Sequence, residues 1–477
     1  MSKNQPLLSS GKPPFANGLV LGAAAVSLLL LLLAPGVLSG LVVIAAVGLT
    51  VYLRASMPAR ALSLALLTLG CTLGLARGAG GDVLFIGLVA VLASLITIPN
   101  VPGWIKGLLG AAILLISVPI AGFSNSFLFE LGIQIGIYAA MALGLNVVVG
   151  MAGLLDLGYA AFFAIGAYTW AIFGSPQANH FTGGGFPLNG NFFYLFMALA
   201  VITTAITGVL IGLPALRLRG DYLAIVTLGL GEVVRVLANN LDHPVNITNG
   251  PQGITPVERP GIDWFRAIVN PILAPFGTQL DARTDYQLFF YLLVLVIIGI
   301  VITVNLNLGN SRFGRAWVAI REDETAAKAM GIPMLGTKLL AFATGAAFSG
   351  AMGVIFAAQR TFVSPESFTL LASITILGMV VLGGMGSIPG VVLGAAALTI
   401  LNIDLLKSFS EYLNALRQSG ATVLGFNLAN LPNQLEPAKY ERLVFGIVLI
   451  LTMIFRPEGL IPERRHKLEA EEAQEGS

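Results

Sequence analysis

Long apolar runs follow one another along this chain with only short polar interruptions. A helix needs about 20 apolar residues to traverse a bilayer, and about 17 suffice. Runs that meet or approach this length lie at 18–34, 37–53, 60–77, 82–98, 104–122, 127–149, 152–174, 192–216, 221–240, 287–307, 338–360, 369–387, 389–407 and 442–456. The pattern predicts an all-α polytopic membrane protein with roughly 10–14 transmembrane helices. Several runs are broken by glycine pairs, which predicts kinked or re-entrant helices among them. The first run, Leu19–Leu33, follows Lys3 and Lys12 as the apolar stretch of a signal sequence would. No small-x-small cleavage site follows and a second run starts at once, so it reads as a first membrane helix.

Composition agrees. Of 477 residues, 56% are hydrophobic and 10% charged, against about 25% charged in a soluble domain. Charge placement sets an orientation. If every run crosses once from a cytoplasmic N-terminus, 16 of the 26 Lys and Arg fall on the cytoplasmic side, as the positive-inside rule requires. Both termini are then cytoplasmic, and the loops at 242–286 and 408–441 face the other way. The net charge of +2 gives no basic face for nucleic acid. Cys71 is the lone cysteine, and His180, His243 and His466 are scattered with no HExxH or CxxC beside them, so no metal site is expected. There is no GxxxxGK[ST] phosphate loop, so any ATP would be bound by another chain. No cluster of His, Asp, Ser or Lys shares one depth, which argues against an enzyme.

Three regions differ in texture. Residues 1–122 hold five apolar runs and read as an N-terminal block of accessory helices. Residues 123–462 carry dense glycine, embedded charges and a polar insertion at 308–337, and 463–477 form an acidic tail. Gly132/Gly136 and Gly390/Gly394 put two glycines on one helix face, where backbones can approach closely. The denser stretches Gly150–Gly158 and Gly383–Gly390 share a loose G-M-x-G pattern and predict helix breaks. Asp156, Gly153, Gly158, Gly383, Gly384 and Gly386 are accordingly candidates for a translocation path or a helix break. Asp156 could line the path or cap the break. Glu232 and Arg235, three residues apart in one run, can form a structural ion pair on one helix face. Glu130 and Asp404 lie near run ends and are expected to face water.

The polar insertion is the most informative segment. Ala316–Met330 is rich in helix formers, with Gly331 a natural stop, and its acidic residues precede Lys328 as the helix dipole favours. Such a helix could lie flat against the membrane and dock into a soluble partner, or it could be a solvated loop. Glu324-Thr325-Ala326-Ala327, with three residues between it and Gly331, resembles the EAA loop of ABC importer permeases. More specific still, the stretch Leu145–Tyr168 resembles the opening of the branched-chain amino acid permease family, LivM type. So do Leu216–Tyr222, Thr248–Ile254, Val380–Ser387 and Arg456–Leu460.

The resemblance covers about 125–462, and the block before it is similar to the N-terminal extension of longer LivM proteins. It implies a permease subunit of an ATP-driven, binding-protein-dependent importer for branched-chain or a broader set of amino acids. The implied partners are a second membrane permease subunit, two ABC ATPase subunits and a periplasmic or tethered substrate-binding protein, in a bacterial inner membrane. No cofactor would be bound by this chain, since ATP would sit on partner subunits. Arg321, Glu322, Asp323, Glu324, Ala326, Ala327 and Gly331 would form the ATPase-coupling segment. The alternatives are a urea or short-amide permease, and a stand-alone secondary transporter. The latter would need several carboxylates buried mid-span, where Asp156 is nearly the only candidate.

Overall fold

The computed structural model describes residues 14–33, 37–52, 56–77, 81–98, 101–218, 220–273, 282–418, 422–423, 426–427 and 437–462. The acidic tail and parts of the loop at 408–441 lie outside the described residues, as does Arg219. Close contacts divide the chain into two compact units, Met1–Gly132 and Ile133–Ser477. The sequence placed a boundary at 122/123.

The first unit is built from α1 (Pro14–Leu33), α2 (Val37–Tyr52), α3 (Met57–Ala76), α4 (Gly81–Thr97), α5 (Gly103–Ala112) and α6 (Val118–Ser124). α1 packs on α2 and α3, and α4 on α2 and α3. Leu31, Leu64, Leu67, Leu84 and Leu88 are buried among them. Hydroxyls inside this apolar block bond back to their own helices, as Thr50 Oγ1 does to the Ala46 carbonyl at 2.8 Å. That removes the cost of an unsatisfied polar group in hydrocarbon. α5 and α6 are one run interrupted by a π-helical turn at Ile113–Ser117. Pro119 supplies the reason, because it lacks an N–H and its ring crowds the carbonyl four residues back.

The second unit takes up most of α7 (Ser126–Asn146), which ends in a π-helical turn, Val147–Met151. After it come α8 (Ala160–Ala171), α9 (Asn179–Thr182), α10 (Phe193–Ala215), α11 (Asp221–Asn240), α12 (Asp263–Leu273) and α13 (Ala282–Asn310). The chain continues through α14 (Arg312–Glu322), α15 (Glu324–Ala329), α16 (Met334–Arg360), α17 (Leu370–Gly383), α18 (Ile388–Ile400), α19 (Leu406–Gln418) and α20 (Glu441–Phe455). A two-residue antiparallel pairing of β1 (Thr422–Val423) with β2 (Phe426–Asn427) interrupts the otherwise helical architecture.

α16 forms the axis of this unit, packed on α8 and α10. Glycine makes the approach possible. A Cβ on Gly166 would lie 2.2 Å from the Gly350 carbonyl oxygen, and one on Gly350 would lie 2.2 Å from Thr204 Oγ1. Gly136 likewise faces Val294 of α13, and Gly390 and Gly394 seat α18 against the Gly383 and Met379 carbonyls of α17.

Eight helices among the described residues are long and apolar enough to cross a membrane, and six more apolar helices are shorter. Two of the short ones explain the glycine-broken runs. α8 has 12 residues and α17 has 14, or about 18–21 Å at the usual rise, against a hydrocarbon core of about 30 Å. The runs at 152–174 and 369–387 are therefore half-length helices joined to non-helical chain.

Asp404 departs from expectation. It is 2% exposed, in a π-helical turn at Leu401–Leu405, with its Oδ1 accepting from Ser408 Oγ at 3.3 Å. The apolar run continues past it as helix, so the carboxylate is folded in rather than left at a water-facing end.

Candidate functional site

The polar insertion folds as two helices rather than one. Expected as a continuous helix over 316–330, it breaks at Asp323, whose backbone is extended (φ −152°, ψ 108°). The Asp323 carboxylate accepts the N–H groups of Thr325 at 2.7 Å and Ala326 at 3.0 Å, capping α15. Asp competes with helix continuation by making such local bonds. Ser311 caps α14 in the same way, accepting from Phe313 N at 3.1 Å. Gly331 adopts φ +85° and stops α15, as the sequence suggested.

Both short helices are held on the membrane core by polar contacts to the start of α16. Trp317, fully buried, donates Nε1–H to the Thr337 carbonyl at 2.7 Å. Glu324 Oε1 lies 2.9 Å from Lys338 Nζ. Ala327 is the residue α15 turns inward, while Thr325, Ala326, Lys328 and Ala329 stay exposed and Met330 is 83% exposed. Glu322 and Asp323 are exposed as well.

Arg321 points the other way. Its Nη1 donates to the Gly150 carbonyl, and its stem packs on Gly153, where an added Cβ would lie 2.7 Å from Arg321 Cγ. Gly153 has φ +69°, a conformation that favours glycine.

This contact brings the first break to the end of the bundle that carries α14 and α15. Chain 152–159 then runs without helix until Tyr159, whose hydroxyl donates to the Gly345 carbonyl at 2.9 Å, part-way along α16. α8 begins there. Asp156 lies inside this stretch and is 1% exposed, with Oδ1 accepting from Gly158 N at 2.9 Å. Such an Asx-type turn gives the carboxylate a place in the backbone of the break. Thr227 of α11 holds the same stretch from the side, since its Oγ1 accepts from Leu157 N at 3.1 Å. A Cβ on Gly158 would lie 2.1 Å from the Thr227 carbonyl oxygen.

The second break lies between α17 and α18. Gly384 (φ +115°) and Gly386 (φ +83°) turn the chain, and Ser387 Oγ caps α18 by accepting from Gly390 N at 3.2 Å. The Arg456–Leu460 stretch closes over this turn: Leu460 N donates to Leu382 O at 2.9 Å and Ile461 N to Gly383 O at 3.1 Å. At its other end α17 meets α8, where Ala160 N donates to Ser373 Oγ at 2.9 Å.

The two glycine-rich breaks touch each other. Asn146, fully buried at the end of α7, accepts from Gly386 N at 2.8 Å. A Cβ on Gly150 would lie 2.5 Å from that same nitrogen. Beside this junction opens a pocket of about 560 Å³ lined by Val149, Gly150, Arg321, Met385 and Glu458, among others. A second, of about 330 Å³, is lined by Leu155, Leu218, Arg321, Glu324 and Lys338, among others.

Glu232 and Arg235 stand apart from that junction. Arg235 Nε donates to Glu232 Oε1 at 2.8 Å and Nη1 to Glu366 Oε1 at 3.1 Å, and the carboxylates are largely exposed. Sequence reasoning did not single out Asn146, Lys338, Thr227 or Ser373. Each is a polar residue within or beside an apolar run, a signal that marks cost without naming the partner.

A family model described as "Branched-chain amino acid transport system / permease component" matches residues 127–453. The chain is 40% identical over 345 residues to the high-affinity branched-chain amino acid transport system permease protein LivM of Salmonella typhimurium, covering 71% of each chain. It is 40% identical over 339 residues to the protein of the same name from Escherichia coli, covering 70% of this chain and 69% of that one. To the permease protein BraD of Pseudomonas aeruginosa it is 30% identical over 174 residues, 36% of this chain and 46% of the relative. No solved structure matches the chain.

Proposed function

This chain belongs to the branched-chain amino acid transport system permease component family, a family of multi-pass membrane proteins, and on that premise we propose that it is the permease subunit of an ATP-driven importer of branched-chain amino acids. In this reading it pairs with a second permease subunit in a bacterial inner membrane, with both termini cytoplasmic. Two ATPase subunits bind all the ATP, and a substrate-binding protein delivers the amino acid from outside. No covalent chemistry takes place in this chain.

The observation that carries the reading is the build of α15. It is a six-residue helix, capped at both ends, fastened inward by Ala327 and Glu324. Outward it presents Ala326, Ala329 and an 83% exposed Met330. A short rigid helix offering apolar side chains beyond the bundle suits a groove on a soluble partner. Closure of the ATPase dimer would then push on α14 and α15 and switch the pore between outward and inward access, as a population shift driven by differential binding.

The first test is a mild-detergent pull-down of the tagged full chain from its native host, followed by mass spectrometry. An ATPase subunit and a second permease are expected with it. Recovery of the chain alone, from a preparation shown to keep known complexes intact, would favour a stand-alone transporter. Uptake of labelled leucine, isoleucine and valine against labelled urea then separates the amino acid importer from the amide importer.

A further inference from the structure

Arg321 lies where the coupling segment meets both interrupted helices, and the geometry points to it as the positioning residue that carries movement of that segment into the helix breaks. This rests on the reading of α14 and α15 as the ATPase-docking segment. Arg321 is the last residue but one of α14, two positions before the kink at Asp323, so its backbone moves with the segment.

Its side chain leaves the segment and makes two contacts with the first break. The guanidinium donates to the Gly150 carbonyl, in the last turn before the break. Carbonyls at such a helix end lack a helical N–H partner, and a guanidinium can supply several donors there. The aliphatic stem lies on Gly153, where an added Cβ would come within 3.3 Å of the Arg321 Cα itself. Only a residue without a side chain lets the two backbones lie this close.

On its other side Gly150 is held by the second break. A Cβ there would meet Asn146 Oδ1 at 2.1 Å and Gly386 N at 2.5 Å, and Asn146 Oδ1 accepts from Gly386 N at 2.8 Å. Gly150 is thus pinned between Arg321 and the α17–α18 turn. The other anchors of the segment, Trp317 on Thr337 and Glu324 on Lys338, reach α16, an unbroken helix of 27 residues. Arg321 reaches the end of an interrupted helix, and pockets of about 560 and 330 Å³ flank it and leave room for a shift. Coupling needs a physical element that can take two arrangements, and an interrupted helix is one.

The experiment uses the complete complex in proteoliposomes and reads the ratio of labelled leucine transported to ATP hydrolysed. A merely structural role lowers transport and hydrolysis together and leaves the ratio alone. For Arg321→Gln the ratio is expected to fall about tenfold, with hydrolysis held within about twofold of wild type. Arg321→Lys keeps the charge and stem but presents a single point donor, so a smaller fall, about threefold, is expected. A wild-type ratio in both variants overturns the proposal. If Arg321→Gln does not reach the membrane, Arg321→Lys decides alone: a lowered ratio supports the proposal and a wild-type ratio sinks it. Glu324→Lys run in parallel separates the two readings. If it keeps both the ATPase subunit and normal uptake, the docking assignment has failed and this inference falls with it.

Discussion

Lys338 Nζ lies 2.9 Å from Glu324 Oε1, and only 5% of the lysine side chain is exposed. The pair ties the first residue of α15 to the first turns of α16, so a buried cation holds α15 in place. Glu324→Lys sets two cations against each other there. Breaking a buried pair costs about 3–5 kcal/mol, and the one-third exposure of Glu324 moves the expectation to about 2–3 kcal/mol. Leucine uptake is expected to fall to background with the protein still in the membrane. The swap Glu324→Lys with Lys338→Glu should recover part of it, because the pair itself is restored. No recovery at all would show that the positions matter for something other than their mutual attraction.

The kink at Asp323 should be separable from its charge. Asp323→Asn and Asp323→Ser keep an oxygen for the Thr325 and Ala326 amides, whereas Asp323→Ala leaves them open at a cost of about 1 kcal/mol. Binding of purified ATPase subunit to the membrane complex is therefore expected to weaken about fivefold for the alanine variant and little for the other two. Equal weakening in all three would point to the charge instead of the cap.

Glycines at the helix crossings should be far less tolerant than glycines facing the bilayer. Gly166→Ala and Gly158→Ala drive a methyl group to 2.2 and 2.1 Å from backbone carbonyl oxygens. Overpacking of this kind costs about 1–3 kcal/mol or more, since backbone cannot rotate away. Gly299→Ala meets nothing within 4 Å and is the matched control. Thermal unfolding in detergent should show a clear drop for the first two and no change for the third. Similar stability in all three would contradict the close helix approach.

Asn146 is the bond between the two breaks. Asn146→Leu takes the acceptor from the part-buried Gly386 amide, at a cost of about 1–3 kcal/mol. Lower thermal stability and lower uptake are both expected, with Asn146→Asp, which keeps an acceptor oxygen, nearer to wild type in stability.

Arg235→Ala should be nearly silent. Its carboxylate partners are 42% and 68% exposed, and exposed ion pairs contribute about 0–1 kcal/mol. Uptake below half of wild type would show that the pair does more than decorate the surface of α11.

The amino-acid sequence by itself determined the all-helical membrane class, where most of the long helices run, and the stop at Gly331. These follow from local rules: hydrocarbon forces a backbone to satisfy its own hydrogen bonds, so apolar run length translates directly into helix. The family was legible too, through motifs at 145–168, 216–222, 248–254, 380–387 and 456–460. Helix breaks near Gly153 and Gly384 were readable because glycine density marks them. Their consequence was not. That Asn146 meets Gly386, 240 residues away, that Arg321 reaches Gly150, and that Lys338 is buried against Glu324 are pairings between distant segments. A polar residue in an apolar run announces that it needs a partner, and only the packing of α7, α16 and the two breaks decides which one it finds. Asp323 shows the same limit at short range. Its neighbours favour helix, yet the anchors on α16 hold α14 and α15 at an angle that its carboxylate caps.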